Sequence, residues 1–201
     1  MDINVFFNYT VVLTLYALVT AFTPGPNNIV ALYAVSQNGW RRGKDILMGI
    51  AAGFLCVMVL CALFCYELAR YMPSVTGVLK YIGAAYIAYL AVHVALSKPD
   101  ESENRRMSFW KGFLLEFVNV KIILYAITIY TGYVLPYEAS LTALFFHAVV
   151  LTVIGLSGCI TWASAGGLLQ KFLKKYNRPF NIAMALILLY CAAALAFNLQ
   201  K

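Results

Sequence analysis

Val5–Gln37 reads VFFNYTVVLTLYALVTAFTPGPNNIVALYAVSQ. No residue from Ile3 to Gln37 carries a charge, and the run exceeds the ~20 apolar residues that a helix needs to cross the hydrocarbon core of a bilayer. Its middle, Thr23-Pro24-Gly25-Pro26-Asn27-Asn28, opposes a continuous helix. Each proline removes a backbone donor and clashes with the carbonyl one turn back, so two prolines around a glycine should interrupt the helix rather than bend it. Five further apolar runs follow, at Ile46–Tyr66, Val75–Leu96, Phe109–Leu135, Leu141–Trp162 and Phe180–Leu199. In lipid the backbone must satisfy its own hydrogen bonds, and the alternation of a barrel strand is absent, so these runs read as helices.

Composition agrees. The chain is 63% hydrophobic and 11% charged, with a mean hydropathy of +0.79, against roughly a quarter charged residues in a soluble domain. Lipid is therefore its outer solvent. The expectation is an all-α membrane protein of six transmembrane helices, the first broken at Thr23–Asn28. Met1-Asp2 gives no basic segment ahead of the first run, so no cleavable signal is expected.

The net charge of +7 does not point to nucleic acid, because of where the charges fall. Arg41, Arg42 and Lys44 lie after the first run; Lys98, Arg105, Arg106 and Lys111 after the third; Lys171, Lys174, Lys175 and Arg178 after the fifth. Those three loops hold 11 of the 15 Lys and Arg. By the positive-inside rule they face the cytoplasm, which leaves both termini periplasmic in a bacterial inner membrane. The basic loops need no partner beyond anionic lipid.

The polar stretch Ser97–Ser108 (SKPDESENRRMS) separates three runs from three. The chain thus divides into a first repeat, 1–96, a cytoplasmic linker, 97–108, and a second repeat, 109–201. Three is odd, so a duplicated half inserts upside down, as in many secondary transporters. A shift of 92 lays Asn27 on Asn119 and Leu32-Tyr33-Ala34 on Leu124-Tyr125-Ala126.

Two polar spots lie within the spans. An interruption at Thr23–Asn28 frees carbonyls on one side and N–H groups on the other, tolerated in a membrane only inside protein or along a wet cavity. Carbonyls suit an ammonium and a helix N-terminus suits a carboxylate, the two ends of an amino acid. Thr23, Gly25, Asn27 and Asn28 are therefore candidate substrate contacts, with Pro24 and Pro26 making the break. The alternative is a kink that only serves packing. The second spot is Glu116, Asn119 and Lys121 in the fourth run. Ionisable residues at such depth cost at least ~2.5–3 kcal/mol each and mark a pathway. Glu116 and Asn119 share a helix face, whereas Lys121 points elsewhere. Its partner is a substrate carboxylate or the broken region of helix one; snorkelling is the alternative. For Glu116 an ion pair with Lys111 or a loop arginine competes with a functional role. His147, in the fifth run, is a second candidate proton carrier or else an interhelical hydrogen bond. Gly49-x-x-x-Gly53, Gly155 and Gly158 point to close helix crossings. Cys56, Cys61, Cys65, Cys159 and Cys191 read as packing residues, with no CxxC and no metal-ligand spacing, so neither metal nor cofactor is expected.

Phe22-Thr23-Pro24-Gly25-Pro26-Asn27-Asn28, followed by Gly39-Trp40-Arg41-Arg42-Gly43, resembles the signature of the LysE/RhtB family of bacterial amino-acid exporters. Phe109-Trp110-Lys111-Gly112-Phe113 and Asn119-Val120-Lys121 extend the likeness and look most like its cysteine and O-acetylserine branch. Val120 stands where many members have a proline, so the family pattern carries no second helix break over to this chain. The resemblance implies proton-driven antiport without ATP, and no P-loop is present. The substrate would bind between helices one and four, its carboxylate near Lys121 and the Asn27–Asn28 helix end. A proton would move inward through Glu116 or His147. The expected function is thus secondary export of small neutral amino acids or derivatives (cysteine, O-acetylserine, homoserine, threonine), not enzymatic catalysis. Of the rivals, a thiol–disulfide electron carrier needs cysteines that helices one and four lack. A non-transporting scaffold has no use for the costly intramembrane polar set, and metal efflux lacks ligands. The assembly state stays open, a homodimer included.

Overall fold

The computed structural model describes residues 3–23, 25–71, 73–96 and 108–197; Pro24 and the linker up to residue 107 lie outside them. The described residues are all-α. The helices are α1 (Ile3–Phe22), α2 (Pro26–Tyr71), α3 (Pro73–Leu96), α4 (Phe109–Val118), α5 (Val120–Ile129) and α6 (Leu141–Ala196), with α5 running on into a π-helical turn, Tyr130–Val134.

These are not the six helices that the apolar runs suggest. The first run is two helices, because α1 stops at Phe22 and α2 starts at Pro26. Proline at the first helical position loses nothing, since that N–H has no partner in any helix. α2 then takes in the rest of the first run and all of the second. It reverses at Gly39, whose φ of 70° and ψ of 169° belong to glycine alone. Beyond the reversal, a Cβ on Gly43 would lie 3.2 Å from the Cα of Val35; eight residues apart on one straight helix would be about 12 Å. The expected first loop is therefore a single glycine between two abutting helices.

The fourth run is broken too, against the expectation drawn from Val120. α4 and the α5 segment Val120–Val134 meet at 62°. Asn119, at φ −82° and ψ 89°, leaves the helical region. Its N–H reaches back to the Glu116 carbonyl (3.3 Å), while its own carbonyl accepts from Ile122 (2.9 Å) and Ile123 (3.2 Å). One asparagine closes one helix and opens the next, with no proline involved.

Runs five and six share one helical element, so the segment expected as a basic loop is helical. That element still folds back. His147 meets Tyr9, Tyr16 stacks on Tyr133, and the Tyr133 hydroxyl donates to the Cys191 carbonyl. A straight helix would hold residues 147 and 191 about 66 Å apart, far beyond what that chain of contacts spans. Pro179 lies in the turning stretch.

By length and apolarity, Gly39–Tyr71 and Leu141–Ala165 can each cross a membrane, and the bent pair Phe109–Val134 makes a third; Tyr9–Phe22 and Ala185–Ala194 are apolar but shorter. The main core joins Tyr16 and Ala17 of α1, Met58 of α2, Ile87 of α3, Ile129 of α5 and Leu188 of α6. Glycines set the closest crossings. A Cβ on Gly49 or Gly53 would strike the α4 backbone at Phe109 or Phe113, one on Gly112 the Ile46 carbonyl of α2, and one on Gly158 the Ala21 carbonyl of α1. Phe64, Tyr81, Val118, Phe146 and Leu186 are exposed, an apolar outer face that suits lipid.

Candidate functional site

The end of α1 leaves backbone carbonyls without helical partners, and side chains from elsewhere in the chain take them. The Thr20 carbonyl accepts from Lys121 Nζ (3.2 Å) and from the Thr23 hydroxyl (3.0 Å). Asn28 Nδ2 donates to the carbonyls of Ala21 (2.7 Å) and Thr23 (2.9 Å). Trp162 Nε1 donates to that of Phe22 (3.0 Å). The carbonyls read from sequence as a seat for a substrate ammonium are thus already satisfied, and the ammonium among them is that of Lys121. Lys121 does not snorkel. Its Nζ also donates to Thr23 Oγ1 (3.3 Å) and lies 3.0 Å from where a Cβ on Gly25 would be.

The two breaks are joined directly. Asn119 Nδ2 donates to Asn27 Oδ1 (3.1 Å), and Asn27 Nδ2 donates to Glu116 Oε2 (3.1 Å). The two asparagines paired by the shift of 92 therefore touch. Glu116 is fully buried, and its Oε1 has no hydrogen-bond partner among the described residues. The alternative ion pair with Lys111 is not formed: Lys111 is exposed, whereas Glu116 packs beside Gly53 and bonds Asn27.

A cavity opens where the breaks meet. Its empty space, open mouth included, is about 400 Å³. Gly25, Pro26, Asn27, Asn28, Asn119 and Lys121 line one end together with Thr20. Phe54, with Gly155 and Tyr125 against its ring, forms an apolar end, and Ile122 and Cys159 complete the lining. Thr23 stands behind Lys121 rather than at the wall. Pro26 opens α2, so the first N–H groups that helix presents are those of Asn27 and Asn28, at the positive end of its dipole. One end of the cavity therefore offers an ammonium, helix-terminal N–H groups and amides, and the other is apolar. Among the described residues no cluster of His, Cys, Asp and Glu is suited to a metal.

His147 is elsewhere. Its Nε2 lies 3.4 Å from the Tyr9 hydroxyl and its Nδ1 2.8 Å from the Ala143 carbonyl, and it does not line the cavity. Thr20, Phe54, Tyr125 and Trp162 escaped the reading of the sequence, and Cys159, read as packing, is at the cavity wall. Only Tyr125 carried a signal, through its place in the internal alignment.

The sequence profile of the LysE type translocators matches residues 18–199. The cysteine/O-acetylserine efflux proteins of Escherichia coli (strain K12) and of Shigella flexneri serotype 5b (strain 8401) are each 44% identical to this chain over 184 residues, covering 90% of it and 94% of the relative. No solved structure matches. A cavity at two joined helix breaks, a family profile covering nearly the whole chain and relatives of this similarity converge: the protein belongs to the LysE type translocator family.

Proposed function

We propose that the chain is a secondary exporter that carries small neutral amino acids and derivatives, cysteine and O-acetylserine foremost, out of the bacterial cytoplasm across the inner membrane. The observation that carries this reading is the placing of Lys121, Asn27 and Asn119 around one cavity where two broken helices meet. The substrate follows from the relatives, which are named for cysteine and O-acetylserine efflux. The substrate carboxylate is held by the Lys121 ammonium and the N–H groups that open α2; the oxygens of the Asn27, Asn28 and Asn119 amides face its ammonium. The chain spans the membrane six times, as inverted repeats over 1–96 and 109–201, with periplasmic termini. The Asn27–Asn119 pairing and the basic odd loops support this arrangement. Rocking of the repeats about the paired breaks exposes the site to either side in turn. Glu116 carries the inward proton, because its carboxylate is bonded to the asparagine that touches the site while its other oxygen has no partner among the described residues; His147 bonds Tyr9 and the Ala143 carbonyl instead.

The test is export of labelled cysteine and O-acetylserine from preloaded cells at matched membrane expression, with and without a protonophore. Wild type should export both in a gradient-dependent way. Lys121→Ala and Asn27→Ala should lose about 10- to 100-fold, the loss for a charge-assisted contact of about 1.5–3 kcal/mol. Glu116→Gln should keep exchange of substrate for substrate yet stop responding to the gradient. Unchanged export by Lys121→Ala and Asn27→Ala would remove the site; gradient-driven export by Glu116→Gln would remove the proton role.

A further inference from the structure

The cavity's apolar end contains a glycine that packing does not require. Glycine inside a helix is about 0.8–1 kcal/mol less favourable than alanine, so a glycine at a helix crossing calls for a reason. Gly49, Gly53, Gly112 and Gly158 have one, since a Cβ on any of them would run into the backbone of a neighbouring helix. Gly155 is different. Its Cβ would meet only the ring of Phe54, at 3.4–3.8 Å, an ordinary contact distance. The bundle has room for alanine at 155, and the space that glycine leaves there belongs to the cavity wall.

The opposite end fixes how a substrate must lie. With its charged groups at Lys121 and the asparagines, an amino acid can only direct its side chain toward Phe54, Tyr125 and Gly155. No charged side chain lines that end, and a charge buried there without a partner is strongly disfavoured. We propose that Gly155 and Phe54 form the side-chain subsite, and that the gap at Gly155 sets the longest side chain exported: uncharged, and no larger than an acetyl ester. Lysine, arginine and aspartate are rejected by charge, and phenylalanine by size. This subsite rests on the export reading above.

Purified full-length protein in liposomes, assayed by counterflow, tests it with labelled cysteine kept reduced, O-acetylserine and phenylalanine. Gly155→Ala should raise the half-saturation for O-acetylserine about 10-fold or more relative to that for cysteine, because a misfit of one methylene in a pocket is worth about 10–200-fold. Phe54→Leu, which removes ring atoms from the same wall, should admit phenylalanine, and combined with Gly155→Ala it should restore O-acetylserine. A parallel loss of both substrates in Gly155→Ala, or no change in either, overturns the subsite while wild-type export still stands. Phenylalanine exchange by the wild type overturns it as well. Absence of exchange by wild type for every substrate removes the export reading, and the subsite with it.

Discussion

Lys121 has two tasks that pull on the same three protons. Its ammonium caps the end of α1 through the Thr20 carbonyl and the Thr23 hydroxyl, a favourable place for a cation at the negative end of a helix. Two of its N–H bonds are used in this way, which leaves one for the cavity. The aim of that third bond depends on Gly25, because a Cβ there would sit 3.0 Å from Nζ. Lysine's end is flexible, so the fold accommodates the added methyl by shifting the ammonium. Gly25→Ala should therefore express at the wild-type level and weaken the half-saturation for O-acetylserine by about 10-fold, equivalent to roughly 1.4 kcal/mol, with a smaller change in maximal rate. Counterflow over a concentration series reads this directly. An unaltered half-saturation would mean that the ammonium does not meet the substrate.

Among the elements, the second break shows what proline is not needed for. Asn119 leaves the helix at ψ 89°, close to the extended range that a residue preceding proline adopts. Val120 is the first residue of α5, where the N–H has no helical acceptor. Val120→Pro should consequently be tolerated, with transport kept within a few-fold and thermal stability in detergent unchanged or raised. Leu124→Pro, in the interior of α5, should cost about 3 kcal/mol or more and abolish folded protein. A collapse of Val120→Pro would show that the valine side chain, not the break, is what the site requires. The contrast between the two breaks explains what could be read from sequence. The first was legible because Pro24 and Pro26 announce it. The second was not, because it arises from capping by one asparagine and from contact with Asn27, which no local pattern encodes. The basic stretch before Pro179 reads as a loop by charge, yet Lys and Arg are good helix formers and the helix runs through it. In the site, Asn27, Asn119 and Lys121 stood out since polar groups are costly in an apolar span. Phe54, Gly155 and Cys159 could not, because an apolar residue in an apolar helix gives no sign of which neighbour it meets.

At the scale of the whole molecule, charge decides which face lies in the cytoplasm. The exposed apolar residues place the chain in lipid, and that shell is the same for either orientation. Only the charges distinguish the two sides, through Arg41, Arg42 and Lys44 next to the Gly39 reversal and the basic residues after the third and fifth runs. If the positive-inside rule governs, the Gly39 reversal is cytoplasmic, and the loop between the π-helical turn and α6 is periplasmic. Lys44 and Glu138 are both exposed; on that topology they lie on opposite sides, and either can be replaced without touching the cavity. In a chain whose five native cysteines are replaced by serine or alanine and which still transports, Glu138→Cys should react with a membrane-impermeant maleimide on intact cells. Lys44→Cys should react only after the membrane is opened. The reverse pattern would invert the protein: the basic loops would be outside, and the Gly39 reversal would be periplasmic. Labelling of both sites in intact cells would mean two populations of opposite orientation, and that the basic loops do not fix how the chain inserts.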